Sequence, residues 1–526
     1  MKKFLIIISA LMVFSASNSC SERELELFPP SLDDLQDINT EEKLQLFLNA
    51  GYLTMSSVGA YGADAMALGD VLSDNLYVTN AKAYVITSNM NYSALNNDTG
   101  GIYGRMYDAI MNCNLVINNT QVPNSEEVTR MKAEAKIVRA FAYMTLVNYF
   151  SPAPTSGVNQ EFGVPIVLGD YDSSIQPARS TVAEVYTQII ADLTQGLANA
   201  DELGAMPDSK VFMTKTAAKL LLSRVYLTRR AAGDAQLALQ YSSEIVNNSN
   251  SENFAPIAKQ DYVTYWSGLS EETSENQRET IWELDLNVSS NLVNGIGANL
   301  ALPTLYNRVS TDRRALLFTK NFYDSFPHTD LPSIPPPPNN PTAPPTPQSL
   351  SPDVRRGDTK TVATSIPGVP NGTLPAGLFS TLTLPLTDNP VGVWTNKYPR
   401  LTSSGNFMRN IKILRFAEAQ LNRIEALHLT GQSGQALIEL NAFATSRGGS
   451  LYTGTNMLND ILTEKAKEFY GEGQRFMDLK RHNLPLVKNS NCVMNCNVPA
   501  NDKLFVMPIS QSALNYNPNL KQYPGY

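Results

Sequence analysis

Apolar residues return at helical spacing along most of the chain, and a polar or acidic turn precedes many of these runs. Thr40 followed by Glu41, Glu42, Leu44, Phe47 and Leu48 predicts an amphipathic helix with Thr40 at its start. Tyr103, Tyr107, Ile110, Asn114 and Ile117 mark a second. Residues 127–150 form a third, with Ala135, Val138, Ala142, Leu146 and Tyr149 on one stripe. Thr181 and Glu184 have capping-box spacing ahead of Val185, Ile189, Leu193 and Leu197. Residues 216–230 and 235–247, joined by a short turn containing Gly233, predict an antiparallel pair. The same texture returns at 411–429, 434–445 and 458–470. Alanines recur on the inner faces (Ala217, Ala218 and Ala238; Ala417, Ala426 and Ala436) and let helices approach closely. The pattern predicts an all-α fold of tetratricopeptide-like helical pairs, an α-α superhelix, with a large irregular loop-rich region and minor β structure. No clean repeat of fixed period aligns, so an ordinary helical bundle is the competing architecture.

Residues 251–405 break this rhythm. They are rich in Ser, Thr, Asn, Gly, Pro and aromatics, with few long periodic runs. Residues 332–347 hold nine prolines and predict a stiff polyproline spacer, an exposed insertion that cannot be helical. Thr280-Ile281-Trp282-Glu283-Leu284 alternates like a strand, which makes Trp282 a core residue.

The start of the chain has its own signature. Lys2 and Lys3 precede a short apolar core, Phe4–Phe14, about half the length a membrane-spanning helix needs. Residues 1–19 therefore read as a signal peptide. Ser17-Asn18-Ser19-Cys20 is a loose lipobox, with Ser17 where an apolar residue is usual, and it makes Cys20 the expected lipidation site. Glu22, Glu24 and Glu26 follow, either a cell-surface export signal or a solvated acidic linker. The formal charge of the chain is −8. An acidic chain without basic clusters excludes nucleic acid as the expected partner. Cys113 shares a helical face with Ile110 and Ile117 and reads as a buried thiol. Cys492 and Cys496 flank a short loop in an exported protein, which favours a local disulfide over a metal site, since His482 is the nearest histidine. No metal and no cofactor is expected.

Five stretches carry a resemblance to the SusD/RagB family. They are Leu72-Ser73-Asp74-Asn75; residues 134–149 with Arg139-Ala140, followed by Gly163-Val164-Pro165; Leu414-Arg415-Phe416-Ala417-Glu418 with Ile424-Glu425-Ala426; Glu472-Gly473-Gln474-Arg475-Phe476 with Asp478-Leu479-Lys480-Arg481; and the terminal Asn517–Tyr526, ending Pro-Gly-Tyr. Their order and spacing over most of the chain make the resemblance specific. Lys465-Ala466-Lys467 departs from the family's more arginine-rich stretch, and the proline insert is not a general family feature. The resemblance implies one compact unit over 20–526, in which 20–250 is an N-terminal helical part, 251–405 a ligand-binding part with the insert at 332–347, and 406–526 a C-terminal helical part.

The family's members are outer-membrane nutrient-binding lipoproteins, so the resemblance implies a surface-exposed protein that binds oligosaccharide. Such a protein passes its ligand to a TonB-dependent outer-membrane transporter, a SusC-like barrel. Sugar rings offer an apolar C–H face and a polar rim, matched by aromatic faces flanked by Asn, Asp, Arg or Gln. The family places such residues after the Ser-Asp-Asn element and in the irregular middle. Here that implies Asn75, Tyr77 and Tyr84, near Asn80 and Asn89, together with Tyr265, Trp266 and Trp394. Each of these aromatics, taken singly, reads as a packing residue before a ligand contact, and the set counts for more than any member. Arg415 with Glu418, and Arg475 with Asp478, are spaced to pair along helices or to anchor loops. Binding of oligopeptides is the alternative within the same architecture. A secreted glycoside hydrolase would need opposed carboxylates, which Glu418 and Glu425 on one helix do not provide. A scaffold that binds only proteins would show no saturable small ligand.

Overall fold

The computed structural model describes residues 37–78, 83–286, 301–306, 315–358, 378–380, 393–398 and 409–526, apart from residues 97, 171, 173, 206–208, 250–252, 269, 337, 343–344 and 490. Helices dominate. They include α1 (Glu41–Met55), α2 (Asp64–Val71), α3 (Gly100–Asn118), α4 (Glu126–Phe150), α5 (Val182–Asn199), α6 (Lys215–Arg229), α7 (Asp234–Asn247) and α8 (Tyr262–Ser267). After the irregular middle come α9 (Phe416–Leu429), α10 (Ser433–Arg447), α11 (Met457–Glu468) and α12 (Arg475–Arg481). Their starts follow capping chemistry. Thr40 accepts from Lys43 N, Ser125 from Val128 N, and Thr181 and Glu184 form a complete capping box at α5.

Each long helix packs on the next. α1 lies on α3, α3 on α4, α4 on α5, α5 on α6, α6 on α7, α7 on α9, and α9 on α10. This is the tetratricopeptide-like array of helical pairs. The step from α7 to α9 joins neighbours in space across the whole irregular middle, so residues 248–415 are an excursion from an otherwise continuous array. The main hydrophobic core, with Phe141, Leu146, Leu221 and Trp282 fully buried, runs through most of it, and a second cluster with Leu421, Ile424, Leu440, Phe443 and Ile461 joins α9 to α10 and α11. Cys113 is a free thiol in the main core. Among the described residues, no helix is long and apolar enough to cross a membrane.

The strands come in antiparallel pairs. β1 (Leu76–Val78) pairs with β3 (Leu316–Phe318), β2 (Thr280–Leu284) with β8 (Ile411–Arg415), and β6 (Phe379–Ser380) with β7 (Trp394–Thr395). β8 corrects the expectation of one helix over 411–429. The branched residues of Ile411-Lys412-Ile413-Leu414 suit a strand, and β2 supplies the ladder. The helix begins only at Phe416, where Glu279 takes the backbone N–H of Ala417 at 3.1 Å.

The proline insert is also corrected. In place of a polyproline spacer it forms a hairpin, β4 (Thr329–Ile334) with β5 (Thr346–Leu350), whose register slips between Leu331 and Ile334, at Pro332. A two-stranded ribbon has only edges, so prolines that cannot donate to a central ladder are tolerated. Its tip, including Pro338, Pro341 and Pro345, is exposed as expected.

Candidate ligand site

The irregular middle is held to the helical array by buried charge. Arg415, at the end of β8, donates to Glu472 at 2.9 and 2.8 Å, to Glu468 at 3.0 Å and to Glu279 at 3.2 Å. Glu468 also accepts from Arg447 at 3.2 and 3.3 Å and from Tyr262 at 3.0 Å. Burial alone would raise the Glu468 carboxyl, but Arg447, Arg415, Arg355 and Lys397 more than offset it and hold it well below the carboxylate range. Arg355 binds Asp353 at 2.7 Å and Glu464 at 2.6 Å. A second knot centres on Glu425, which accepts from Arg481 Nη2 at 2.6 Å and from His482 at 3.0 Å. The expected near-neighbour pairs are replaced. Glu418 takes both its bonds from Arg224 at 2.6 Å, and Arg475 reaches Asp74 rather than Asp478. These side chains point into the body of the protein, where partners come from other elements rather than from the next turn.

Above this network lies a narrow cleft lined by Trp266, Pro303, Lys397, Tyr398, Arg409, Asn410 and Lys412. Trp266 comes from α8, Lys412 from β8, and Lys397-Tyr398 from the segment after β7. The cleft encloses about 10 Å³, enough for roughly one oxygen atom. Trp266 is flanked by cations. Lys397 Nζ lies 4.5 Å from its ring, Lys412 Nζ 5.5 Å and the Arg415 guanidinium carbon 5.0 Å. Lys397 is spent internally, on Glu472 at 2.7 Å and the Glu468 carbonyl at 2.8 Å. Burial lowers it to about 8, against the pull of Glu472. The Tyr398 hydroxyl donates to the Gly471 carbonyl at 2.7 Å, and Asn410 Nδ2 donates to Glu283 at 3.0 Å. Trp266 Nε1 is buried with no hydrogen-bond partner among the described residues.

The expected site residues separate on this map. Trp266 lines the cleft. Tyr265 is buried beside it, its hydroxyl 3.0 Å from Thr280 Oγ1. Trp394 is fully buried and packs with Tyr77 and Leu317 in a small cluster of its own. Tyr84 is buried and donates to Asp64 at 2.6 Å. Asn75, at half-buried exposure, gives its carbonyl to Thr319 N at 2.9 Å. Tyr265, Tyr77, Tyr84 and Trp394 therefore pack the fold in this structure, and none of them lines the cleft. Cys492 and Cys496 are disulfide-bonded, and the loop they close leans on the turn at Asn89 and Met90 through Asn495. Cys20 lies outside the described residues. Lys397, Tyr398, Arg409, Asn410 and Lys412 were not singled out in the sequence. One signal was available: Lys412 is a lone charge inside an apolar strand run.

A larger interior cavity, of about 100 Å³, lies between α4, α6, α9 and α12. Its two lining glutamates, Glu418 and Glu472, are both bound to arginine or lysine.

Comparison with known proteins covers both ends of the chain. Residues 25–227 match the SusD-like_3 family, described as starch-binding associating with outer membrane, and residues 377–526 match the SusD_RagB family. No curated protein matches. Among solved structures, a SusD superfamily protein from Bacteroides thetaiotaomicron VPI-5482 superposes with a TM-score of 0.73 at 24% identity, over 92% of this chain and all of that one (100%). A laminarin-binding SusD-like protein superposes with a TM-score of 0.68 at 20% identity, over 93% of this chain and 100% of that one. Surface glycan-binding protein A from Bacteroides fluxus gives 0.66 at 21% identity, over 92% and 99% of the two chains. At these identities the likeness establishes a shared fold.

Proposed function

Because this chain belongs to the SusD/RagB family, we propose that it is a surface-exposed lipoprotein of the outer membrane that binds oligosaccharide and delivers it to a TonB-dependent transporter. The Trp266 cleft carries this reading. It gathers a buried tryptophan with Lys397, Arg409, Asn410 and Lys412 in the irregular excursion, outside the helical array that supports it. Cys20 would hold the lipid, and the acidic residues after it would form the tether to the membrane surface.

The protein binds without breaking bonds. A glycosidase needs two carboxyl groups free to exchange protons across the scissile bond. Glu418, Glu425, Glu468 and Glu472 are each committed to arginine or lysine instead. Asp70 and Glu134 are raised to about 7, chiefly by burial, but both are hydrogen-bonded inside the fold and neither lines the cleft.

Calorimetry on the protein starting after Cys20, against a panel of oligosaccharides and a panel of oligopeptides, tests the binding. Saturable binding of a sugar with no product formed supports it. Binding of peptides alone would replace sugar as the ligand, and released product would make the protein an enzyme. Replacing Cys20 with Ala should move the full chain from the membrane to the soluble fraction, and unchanged fractionation would refute the anchor.

A further inference from the structure

Two of the described residues that line the cleft, Trp266 and Lys412, carry donors with no hydrogen-bond partner among the described residues. Trp266 is 2% exposed and its Nε1–H has no acceptor among the described residues. An indole can only donate. Lys412 is 4% exposed and lines the same cleft. Its ammonium lies 4.7 Å from the Tyr265 ring and 5.5 Å from that of Trp266, and it has no hydrogen bond or ion pair among the described residues. Glu283, which is not among the lining residues, stands opposite Lys412 in the β2–β8 register; its Oε1 accepts from Asn276 N and Asn410 Nδ2, and its Oε2 is buried with no hydrogen-bond partner among the described residues. Glu275 accepts from Asn410 N. Both attract Lys412 from beyond contact distance. Asn410 and Tyr398 have their polar atoms committed within the fold, with Asn410 Oδ1 accepting from Leu286 N at 2.9 Å.

Three cations, Lys397, Arg409 and Lys412, line the cleft, and no Asp or Glu is among its described lining residues. This holds in a chain whose formal charge is −8. A neutral sugar hydroxyl brings a donor along with its acceptor lone pairs, and among the described lining residues its donor meets no carboxylate. An ionised carboxylate or sulfate brings acceptors only. An unpaired buried ammonium is costly, and an anionic oxygen beside it relieves that cost while making a charge-assisted bond.

Building on the sugar-binding reading, we propose that the cleft selects acidic glycans, seating one oxygen of a carboxylate or sulfate group between Trp266 Nε1 and Lys412 Nζ. Lys412 is the specificity residue. Trp266 supplies the second donor, and the volume of the cleft matches a single oxygen rather than a whole ring.

Calorimetry should compare an oligogalacturonide, its methyl ester, a sulfated oligosaccharide and a neutral β-glucan oligomer at two salt concentrations. The proposal expects an acidic ligand to bind at least tenfold more tightly than the ester or the glucan, with the advantage shrinking at high salt. Carboxylate and sulfate sources are told apart by which of the two charged probes binds. Lys412→Met should abolish the preference, and Lys412→Arg should restore part of it. Trp266→Phe, which keeps an aromatic ring and removes the N–H, should lower acidic binding severalfold and by a larger factor than it lowers neutral binding. Equal binding of ester and acid, unaffected by Lys412→Met, would overturn the acidic selectivity and leave the sugar-binding function standing. Binding of no sugar at all would remove both. A Lys412→Met protein that fails to fold leaves the unmutated protein's acid-versus-ester ratio as the deciding result.

Discussion

Arg475 and Asp74 lie 401 positions apart in the chain and meet side-on, Nε to Oδ1 and Nη2 to Oδ2, each at 2.8 Å. They join the first residue of α12 to the Ser-Asp-Asn element after α2, two of the stretches that carry the family resemblance. The side chains are 18% and 21% exposed, so solvent screens the pair only in part. Asp74→Ala should destabilise the protein by roughly 2 kcal/mol, the range for charge-assisted bonds. Adding Arg475→Ala should cost less than its effect alone, because the arginine has already lost its partner. Urea unfolding of the two single variants and the double variant measures this, and strict additivity would show that the pair is not coupled.

A backbone crossing lies beside that pair. Gly69 in α2 faces Gly473 so closely that a Cβ on Gly69 would lie inside the contact radius of the Gly473 carbonyl. Gly473 itself has φ +74°, and a Cβ there would come within 2.6 Å of the Met66 carbonyl oxygen. The glycine of Glu472-Gly473-Gln474-Arg475 is thus required by both conformation and space. Gly69→Ala has no flexible side chain to push aside, only backbone. It should cost more than about 3 kcal/mol, comparable with the worst overpacking, and lower the thermal midpoint or the soluble yield sharply. A midpoint within about 1 °C of the parent's, the shift expected for roughly 1 kcal/mol in a chain of this length, would show that the two segments can part.

The same crossing carries a pH-dependent group. Asp70 is 1% exposed and accepts from Gly473 N and from the Tyr306 hydroxyl, both at 3.1 Å. Burial raises it to about 7, against those bonds and the nearby Lys397. An unfolded Asp titrates near about 4. Between those values the folded state holds one proton more than the unfolded chain. The stability due to that proton is therefore full below about pH 4 and lost as pH rises through 7. Asp70→Asn keeps an acceptor and removes the titration. The fall in unfolding free energy between pH 5 and pH 8 should be about 2–3 kcal/mol smaller in the variant, at about 1.4 kcal/mol per pH unit. Lys480, lowered to about 7 by burial, works in the opposite direction above that pH. The informative quantity is thus the difference between the two proteins, and parallel pH profiles would refute the assignment.

The helical array was legible because its signals are local. The Thr181–Glu184 capping box and the stripe from Ala135 to Tyr149 need only a few residues of context. The site was not, because its determinants are partnerships between distant residues. Nothing within a turn of Glu418 announces Arg224, 194 positions away. Aromatic residues posed the same difficulty. Trp394 and Trp266 look alike in sequence, yet one is sealed in a cluster with Tyr77 and the other borders a cleft. The burial of Trp266 also changes what a truncation reports. Trp266→Ala should cost roughly 3–5 kcal/mol as a core deletion, so it would confound binding with folding.

The proline hairpin separates structure from delivery. Among the described residues β4 and β5 pair only with each other, and Pro338, Asn339, Asn340, Pro341 and Pro345 at the tip are exposed. Exposed tips contribute little to the core, and a shortened loop slightly lowers the entropy cost of closing the hairpin. Replacing residues 335–345 by Asn-Gly should therefore leave the thermal midpoint within about 1 °C, a change of roughly 1 kcal/mol or less in a chain of this length, and leave affinity for free sugar unchanged. If the insert serves only to connect, uptake through the transporter should also be unchanged. If it touches the barrel, uptake should fall while binding by the isolated protein does not. A loss of sugar affinity in the shortened protein would instead tie the hairpin to the ligand site, across the buried Asp353–Arg355 pair that follows β5.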